Sequence, residues 1–355
     1  LAGPLFPLSF IAGALVTSLS AYSYIKMSNK WPSSGGIAMI LQKAYGPGVI
    51  AASASLLMAL SMVINESLVA RTFATYALRP FDLESSGWLV SLVALALIIF
   101  AYFVNAAGNK SVSGFSLIMS AIKIGGIALF AVAAIWVSGF SSGAFSQPVA
   151  LTNAEALVAS VAFSIFAFKG FTTITNSGGE IVDPHKNVGR TIMISIAATT
   201  SGVIASVFAV SRMLTMLTDM KMIPHSHFGM SGGIRSHMLV YTVVVAGTLA
   251  VLFDLSRIAS LGAFFYLVMD MLVHWGVLRH LRGKVGARAS VLLAALAADG
   301  VVLAAFTVAK LRSDPAVVAY AVIGIAAVFL GQWFYLSRNP GAPASPENDG
   351  TEEAS

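Results

Sequence analysis

Apolar runs of about 20 residues recur from one end of this chain to the other, and that repetition constrains the fold more than any other feature. Trp88 to Ala106, for example, holds no charged side chain. As an α-helix, a run of that length matches the ~30 Å hydrocarbon core of a bilayer, where backbone N–H and C=O groups must be bonded within their own segment. Only 10% of the 355 residues are charged, against about 25% in ordinary soluble domains, and 57% are hydrophobic. A soluble globular protein is excluded. So is a membrane barrel, whose strands would read as ~10-residue alternating segments. The fold class is therefore an all-α polytopic membrane protein, with the lipid bilayer as its first partner.

Hydropathy and turn residues place ten candidate segments. Five are Leu5 to Met27, Val49 to Tyr76, Trp88 to Ala106, Gly114 to Val137 and Ala156 to Ser177. Five follow at Thr191 to Leu217, Met238 to Phe253, Ile258 to Leu278, Ser290 to Lys310 and Ala316 to Leu336. Asn29 to Gly48 is too short to span but amphipathic, so a turn plus an interfacial or re-entrant helix is expected there. Residues 1–336 thus form one transmembrane domain. Residues 337–355, rich in Pro, Gly, Ser and acid, cannot bury a core and are expected to be a disordered tail.

The net charge of +6 does not indicate nucleic acid, because the basic residues sit in short loops between spans, where orientation signals belong. Lys26, Lys30 and Lys43 fall on one side, Asp82 and Glu84 on the other, and Lys110, Lys186 and Arg190 return to the first. This alternation predicts a cell-membrane protein whose loops bearing Lys30, Lys43 and Lys186, and whose C-terminal tail, are cytoplasmic. Thr191 to Leu217 breaks the pattern, since both its flanks are basic. The chain has no Cys, which removes disulfides, thiolate metal sites and Cys nucleophiles. It begins at Leu1 with no cleavable signal peptide, so it reads as a fragment.

One span is polar at its centre. In "SIFAFKGFTTITNSGGEIVDPHK", Ser164 to Lys186, the apolar Ile165, Phe166 and Phe168 give way to Lys169, Gly170, Thr172, Thr173, Thr175 and Asn176. Unsatisfied backbone groups cost several kcal/mol each in hydrocarbon, so a real break survives only where it lines a cavity or meets a ligand. The residues admit two readings. Either the helix unwinds near Gly170 and offers its freed carbonyls and N–H groups to a small charged solute, or it is kinked and continuous, with threonines bonded back to their own carbonyls.

Three stretches resemble the amino acid-polyamine-organocation permeases and favour the broken helix. "FAFKGFTTITNSGGEIVDPHKNVGRTI", Phe166 to Ile192, is similar to that family's sixth helix and following loop, with Gly170, Phe171, Glu180, Asp183, Pro184, Lys186 and Arg190 on the pattern. "WPSSGGIAMILQKAYGPG" resembles the cytoplasmic loop after the second helix, through Pro32, Gly35, Gly36 and Gly46. "SRMLTMLTDMKMIPHSHF", Ser211 to Phe228, resembles the loop after the eighth. The resemblance implies two inverted five-helix repeats, each opening with a broken helix. It also implies that the repeat is incomplete here: the first helix lies before Leu1, and parts of the seventh and eighth are fused by an internal deletion near 198–202. The expected substrate-binding residues are Phe166, Ala167, Phe168, Lys169, Gly170 and Phe171, which would hold the ammonium half of an amino acid or amine. Gly35, Gly36, Glu180, Asp183 and Pro184 would form a cytoplasmic loop or gate.

Other polar residues lie within spans. Lys123 stands about three turns into its helix, where a charge costs ~2.5 to 3.5 kcal/mol. In proton-coupled relatives a lysine at the matching place occupies a sodium position, so the resemblance makes Lys123 the coupling candidate, with Gly125 and Gly126 allowing close helix approach; snorkelling to the cytoplasmic face is the alternative. Glu66 either lines the pathway or is a structural acid. Asp270 and His274, spaced i, i+4, share a helix face and read as a packed hydrogen-bonded pair or a proton relay, the former favoured because nothing else marks that helix. Asp299 has the same ambiguity with less support. His225 and His227 are two apart and point to different sides of a helix, so no metal site is expected there. No cofactor motif is present, nor any HExxH, paired catalytic Asp or nucleophile beside a His, so the chain is not expected to be an enzyme. It is expected to be a secondary transporter of amino acids or related amines, proton-coupled or exchanging. The alternative is a truncated, transport-inactive relic of one.

Overall fold

The computed structural model describes residues 6–33, 36–107, 154–168, 183–197, 214–215, 217–223 and 233–339, with positions 114, 118, 121, 125, 129, 132 and 136 between them. Among the described residues there is no strand. Ten α-helices are defined over ranges: α1 Phe6–Lys30, α2 Gly36–Tyr45, α3 Val49–Leu78, α4 Gly87–Ala106 and α5 Ala154–Phe168, then α6 Pro184–Ala197, α7 Ile234–Leu252, α8 Leu255–Gly276, α9 Ala289–Ser313 and α10 Pro315–Arg338. The isolated positions from Gly114 to Trp136 are also helical. Among the described residues, six helices are long and apolar enough to cross a membrane: α1, α3, α4, α8 with its extension to Leu281, α9 and α10. Ser236–Leu252 of α7 is a shorter apolar helix. Apart from the stretches that follow Phe168 and Ala197, which lie outside the described residues, the ranges track the hydropathy segments, with ends moved by caps and turns.

Those ends have local causes. Gly46 stops α2 in a left-handed conformation (φ 73°), and its N–H bonds back to the Gln42 carbonyl at 2.8 Å. Pro80 cannot extend α3, and the chain turns through Arg79–Phe81 into Asp82 at φ 57°. The Asp254 side chain caps α8 by accepting from the Arg257 N–H. Pro315 starts α10 in the first turn, where its missing N–H costs nothing. Past Gly276, α8 runs on as a five-residue π turn, Val277–Leu281.

Two helices form the centre. In α3 and α8, 72% of the most apolar window is buried, against 22% to 28% in α4, α9 and α10. The central pair is joined by Ser61 Oγ, which donates to the Gly262 carbonyl at 3.2 Å, and α3 reaches α7 through Ser67 Oγ to the Ala246 carbonyl at 2.8 Å. On the peripheral helices Leu92, Phe103, Trp136, Val301, Ile323 and Leu330 are exposed. That band suits lipid and would be a liability in water.

Within the segment from Asn29 to Gly48, Ile37, Ile40 and Leu41 of α2 are fully buried, because the helix folds against α3 and α8. Gly126 and the immediate neighbours of Gly125 lie outside the described residues.

The basic loops meet at one end. His185 Nδ1 lies 2.9 Å from the Asn29 carbonyl, and the Gly189 N–H donates to Asn29 Oδ1 at 3.0 Å, which brings the start of α6 to the end of α1. Lys43 stacks over Trp31, the Tyr45 ring packs on His280, and Tyr22 receives the Arg288 N–H. The ion pairs of Arg257 with Asp254 and Asp314 are elsewhere, at the start of α8.

Candidate functional site

The last described turn of α5 is packed into the interior. Its helix lies close to α1, where a Cβ on Gly13 would stand 2.6 Å from the Ser164 Cβ. Phe166 is buried over Gly262 of α8, and a side chain at Gly262 would overlap its ring. Phe168, also buried, meets Phe10 of α1 edge to face, with ring centroids 5.7 Å apart. Ala167 lies between them in α5. The apolar part of the expected binding segment is thus gathered between α1 and α8. Lys169, Gly170, Phe171 and Glu180 lie outside the described residues, as do Lys123, Gly35 and the junction at 198–202.

The remaining loop candidates sit at the start of two helices. Gly36 opens α2 at φ 46°, a left-handed conformation that disfavours any side chain. Asp183 precedes α6 at φ 49°, exposed, and its carbonyl accepts from the N–H groups of Lys186 and Asn187, each at 3.0 Å. Pro184 is the first residue of α6.

A polar cluster larger than the sequence indicated crosses three helices. Asp270 and His274 do share a face of α8, as their spacing requires, with Nε2 of His274 3.5 Å from Asp270 Oδ1. They are not a simple pair. Asp299 of α9 joins them, its Oδ2 3.3 Å from the same Nε2. From α1, Tyr24 donates its hydroxyl to Asp270 Oδ1 at 2.5 Å, Ser20 donates to Oδ2 at 2.6 Å, and Ser23 Oγ meets His274 Nδ1 at 2.7 Å. The side chains of Asp270, His274 and Asp299 are 0% exposed. Both Asp299 oxygens lack a hydrogen-bond donor among the described residues.

Sequence reasoning missed this cluster because two of its three helices contribute only through tertiary contact. A signal was available in α1, where Ser20, Ser23 and Tyr24 stand at i, i+3 and i+4 as a polar face on an apolar span. Lys310 was also missed. It is 7% exposed, with Nζ 5.4 Å from the Phe163 ring centroid, 5.8 Å from that of Phe306 and 3.4 Å from Ser256 Oγ. Glu66 is fully buried in α3.

Residues 1–211, more than half of the chain, match the family model described as amino acid permease. The chain belongs to the amino acid permease family. Its helical, multi-pass architecture agrees with that membership. Inner membrane transport protein YbaT of Escherichia coli is 25% identical to this family member over 279 residues, which is 77% of this chain and 62% of its own length. The methylthioribose transporter of Bacillus subtilis is 26% identical over 213 residues, 56% of this chain and 45% of its own. Glutamate/serine transporter AimA of the same organism is 26% identical over 221 residues, 56% of this chain and 40% of its own. The chain therefore spans less than two thirds of the length of these relatives. Their names are those of transporters, not of enzymes.

Proposed function

We propose that this chain serves secondary transport of amino acids or related amines across a cell membrane. Membership of the amino acid permease family carries the reading, and the transporter names of the relatives support it. The substrate would lie where α5 leaves its described range, its apolar part against Phe166, Phe168 and Phe171 and its ammonium on carbonyls freed at Lys169 and Gly170. The burial of Phe166 and Phe168 between α1 and α8 supports that placement. Lys123 would couple transport to a proton. The loops with Gly35, Gly36, Glu180, Asp183 and Pro184 would gate the end where Asn29 holds α6, and that basic end would face the cytoplasm.

The test uses purified protein in liposomes with an imposed proton gradient and a panel of labelled amino acids. Accumulation above empty liposomes is expected. Gly170→Leu, which fills the proposed cavity, should abolish it while the protein keeps its gel-filtration profile. Folded protein that neither accumulates nor exchanges any of the panel would overturn the reading in favour of a transport-inactive family member.

A further inference from the structure

We propose that Asp270, His274 and Asp299 form a buried site for one divalent transition-metal ion of the zinc type, independent of the substrate segment on α5. Three observations carry the inference. The first is spacing. A charge-assisted N–H···O⁻ hydrogen bond closes to about 2.7 to 2.9 Å, whereas Nε2 of His274 stands 3.5 Å from Asp270 Oδ1 and 3.3 Å from Asp299 Oδ2. Ligand atoms about 2.0 to 2.2 Å from a tetrahedral metal are separated from one another by about 3.3 to 3.5 Å. One ligand atom from each of the three residues lies within 4.8 Å of the others.

The second is the surrounding hydrogen bonding. Ser23 Oγ sits 2.7 Å from His274 Nδ1, so an Nδ1–H donated to it leaves the Nε2 lone pair turned toward both carboxylates. Tyr24 and Ser20 hold the two oxygens of Asp270. Outer groups of this kind fix the rotamers of metal ligands. Asp299, by contrast, is buried and neither of its oxygens has a well-formed hydrogen bond among the described residues, His274 Nε2 standing 3.3 Å from Oδ2.

The third is charge. Two ionised carboxylates and one imidazolium carry a net negative charge, which away from water is neutralised either by a proton on one carboxyl or by a cation. A divalent ion with two aspartates and a neutral imidazole sums to zero. Thiolate ligands are absent, and the nitrogen and oxygen set suits zinc and its first-row neighbours better than calcium or magnesium. Three protein ligands leave a fourth position open. A bound ion would tie α8 to α9 directly and to α1 through Ser20, Ser23 and Tyr24.

The experiment uses the full chain, purified without a histidine tag, loaded with Zn²⁺ and desalted, with metal measured by plasma mass spectrometry. One equivalent per chain is expected. Loading with Co²⁺ should give the visible absorption of tetrahedral cobalt. Asp299→Asn and His274→Gln should each weaken binding at least tenfold and remove the rise in Tm that added Zn²⁺ gives the parent. Ser23→Ala, which keeps all three ligands, should weaken it about tenfold and shift the cobalt spectrum, so a variant that fails to fold does not decide the matter. Folded parent protein that retains no stoichiometric metal would overturn the proposal and leave the cluster a proton site only. Metal lost on His225→Ala and His227→Ala, but kept in Asp299→Asn, would overturn it equally.

Discussion

Gly262 has no side chain because the Phe166 ring fills the place where one would stand. Adding a methyl there forces the ring out of its seat, and overpacking of this kind costs about 1 to 3 kcal/mol. Gly262→Ala should therefore lower the Tm of the purified protein, and Phe166→Leu should lower it through lost contact. The double variant should recover part of the loss, because the smaller side chain admits the methyl; strictly additive Tm changes would contradict direct packing of the two positions. Such pairings are hard to read in a sequence. Phe166 and Gly262 are 96 positions apart, and only the fold makes them neighbours. The same barrier hid the partner of Asp299, whose contact with His274 crosses from α9 to α8. Asp270 and His274 were legible because a helix puts i and i+4 on one face whatever surrounds it.

Among the elements, the start of α8 is fastened to the turn between α9 and α10. Arg257 Nε lies 2.8 Å from Asp314 Oδ2 and 3.6 Å from Asp254 Oδ2. The hydrogen bond from Arg257 holds the Asp314 carboxyl below its ordinary value of 3.8. A depressed carboxyl contributes stability that is present above the ordinary value and lost as pH falls through the folded one. The bridge is solvent-accessible, so the effect is small and screened by salt. Asp314→Asn should lower Tm slightly at neutral pH, and the two melting curves should converge on acidification. A gap that stays constant from neutral pH to below the carboxylate range would show that the charge is not responsible. Most element boundaries were legible, since Gly46, Pro80, Asp254 and Pro315 act through local chemistry. The π turn at Val277–Leu281 was not, because no Gly or Pro marks "VLRHL". Neither was the placement of α2: an amphipathic pattern looks the same whether its apolar side meets lipid or another helix.

For the molecule as a whole, the contacts of Asn29 with α6 and of Tyr45 with His280 gather the lysine-bearing loops at one end, as the alternation of charge along the chain anticipated. Side can be read directly, because the parent has no cysteine to give a background signal. A membrane-impermeant maleimide should label Ser85→Cys in intact cells and Lys186→Cys only after permeabilisation, both positions being exposed. The reverse pattern would invert the proposed orientation. The burial of α2 has a consequence in time. Its neighbours α3 and α8 flank it in space, yet α8 begins more than 200 residues later, at Leu255. A chain emerging from the ribosome in order must carry Ile37, Ile40 and Leu41 without their final cover until α8 has been synthesised and inserted. The short helix α2 is therefore made long before the helix that completes its cover.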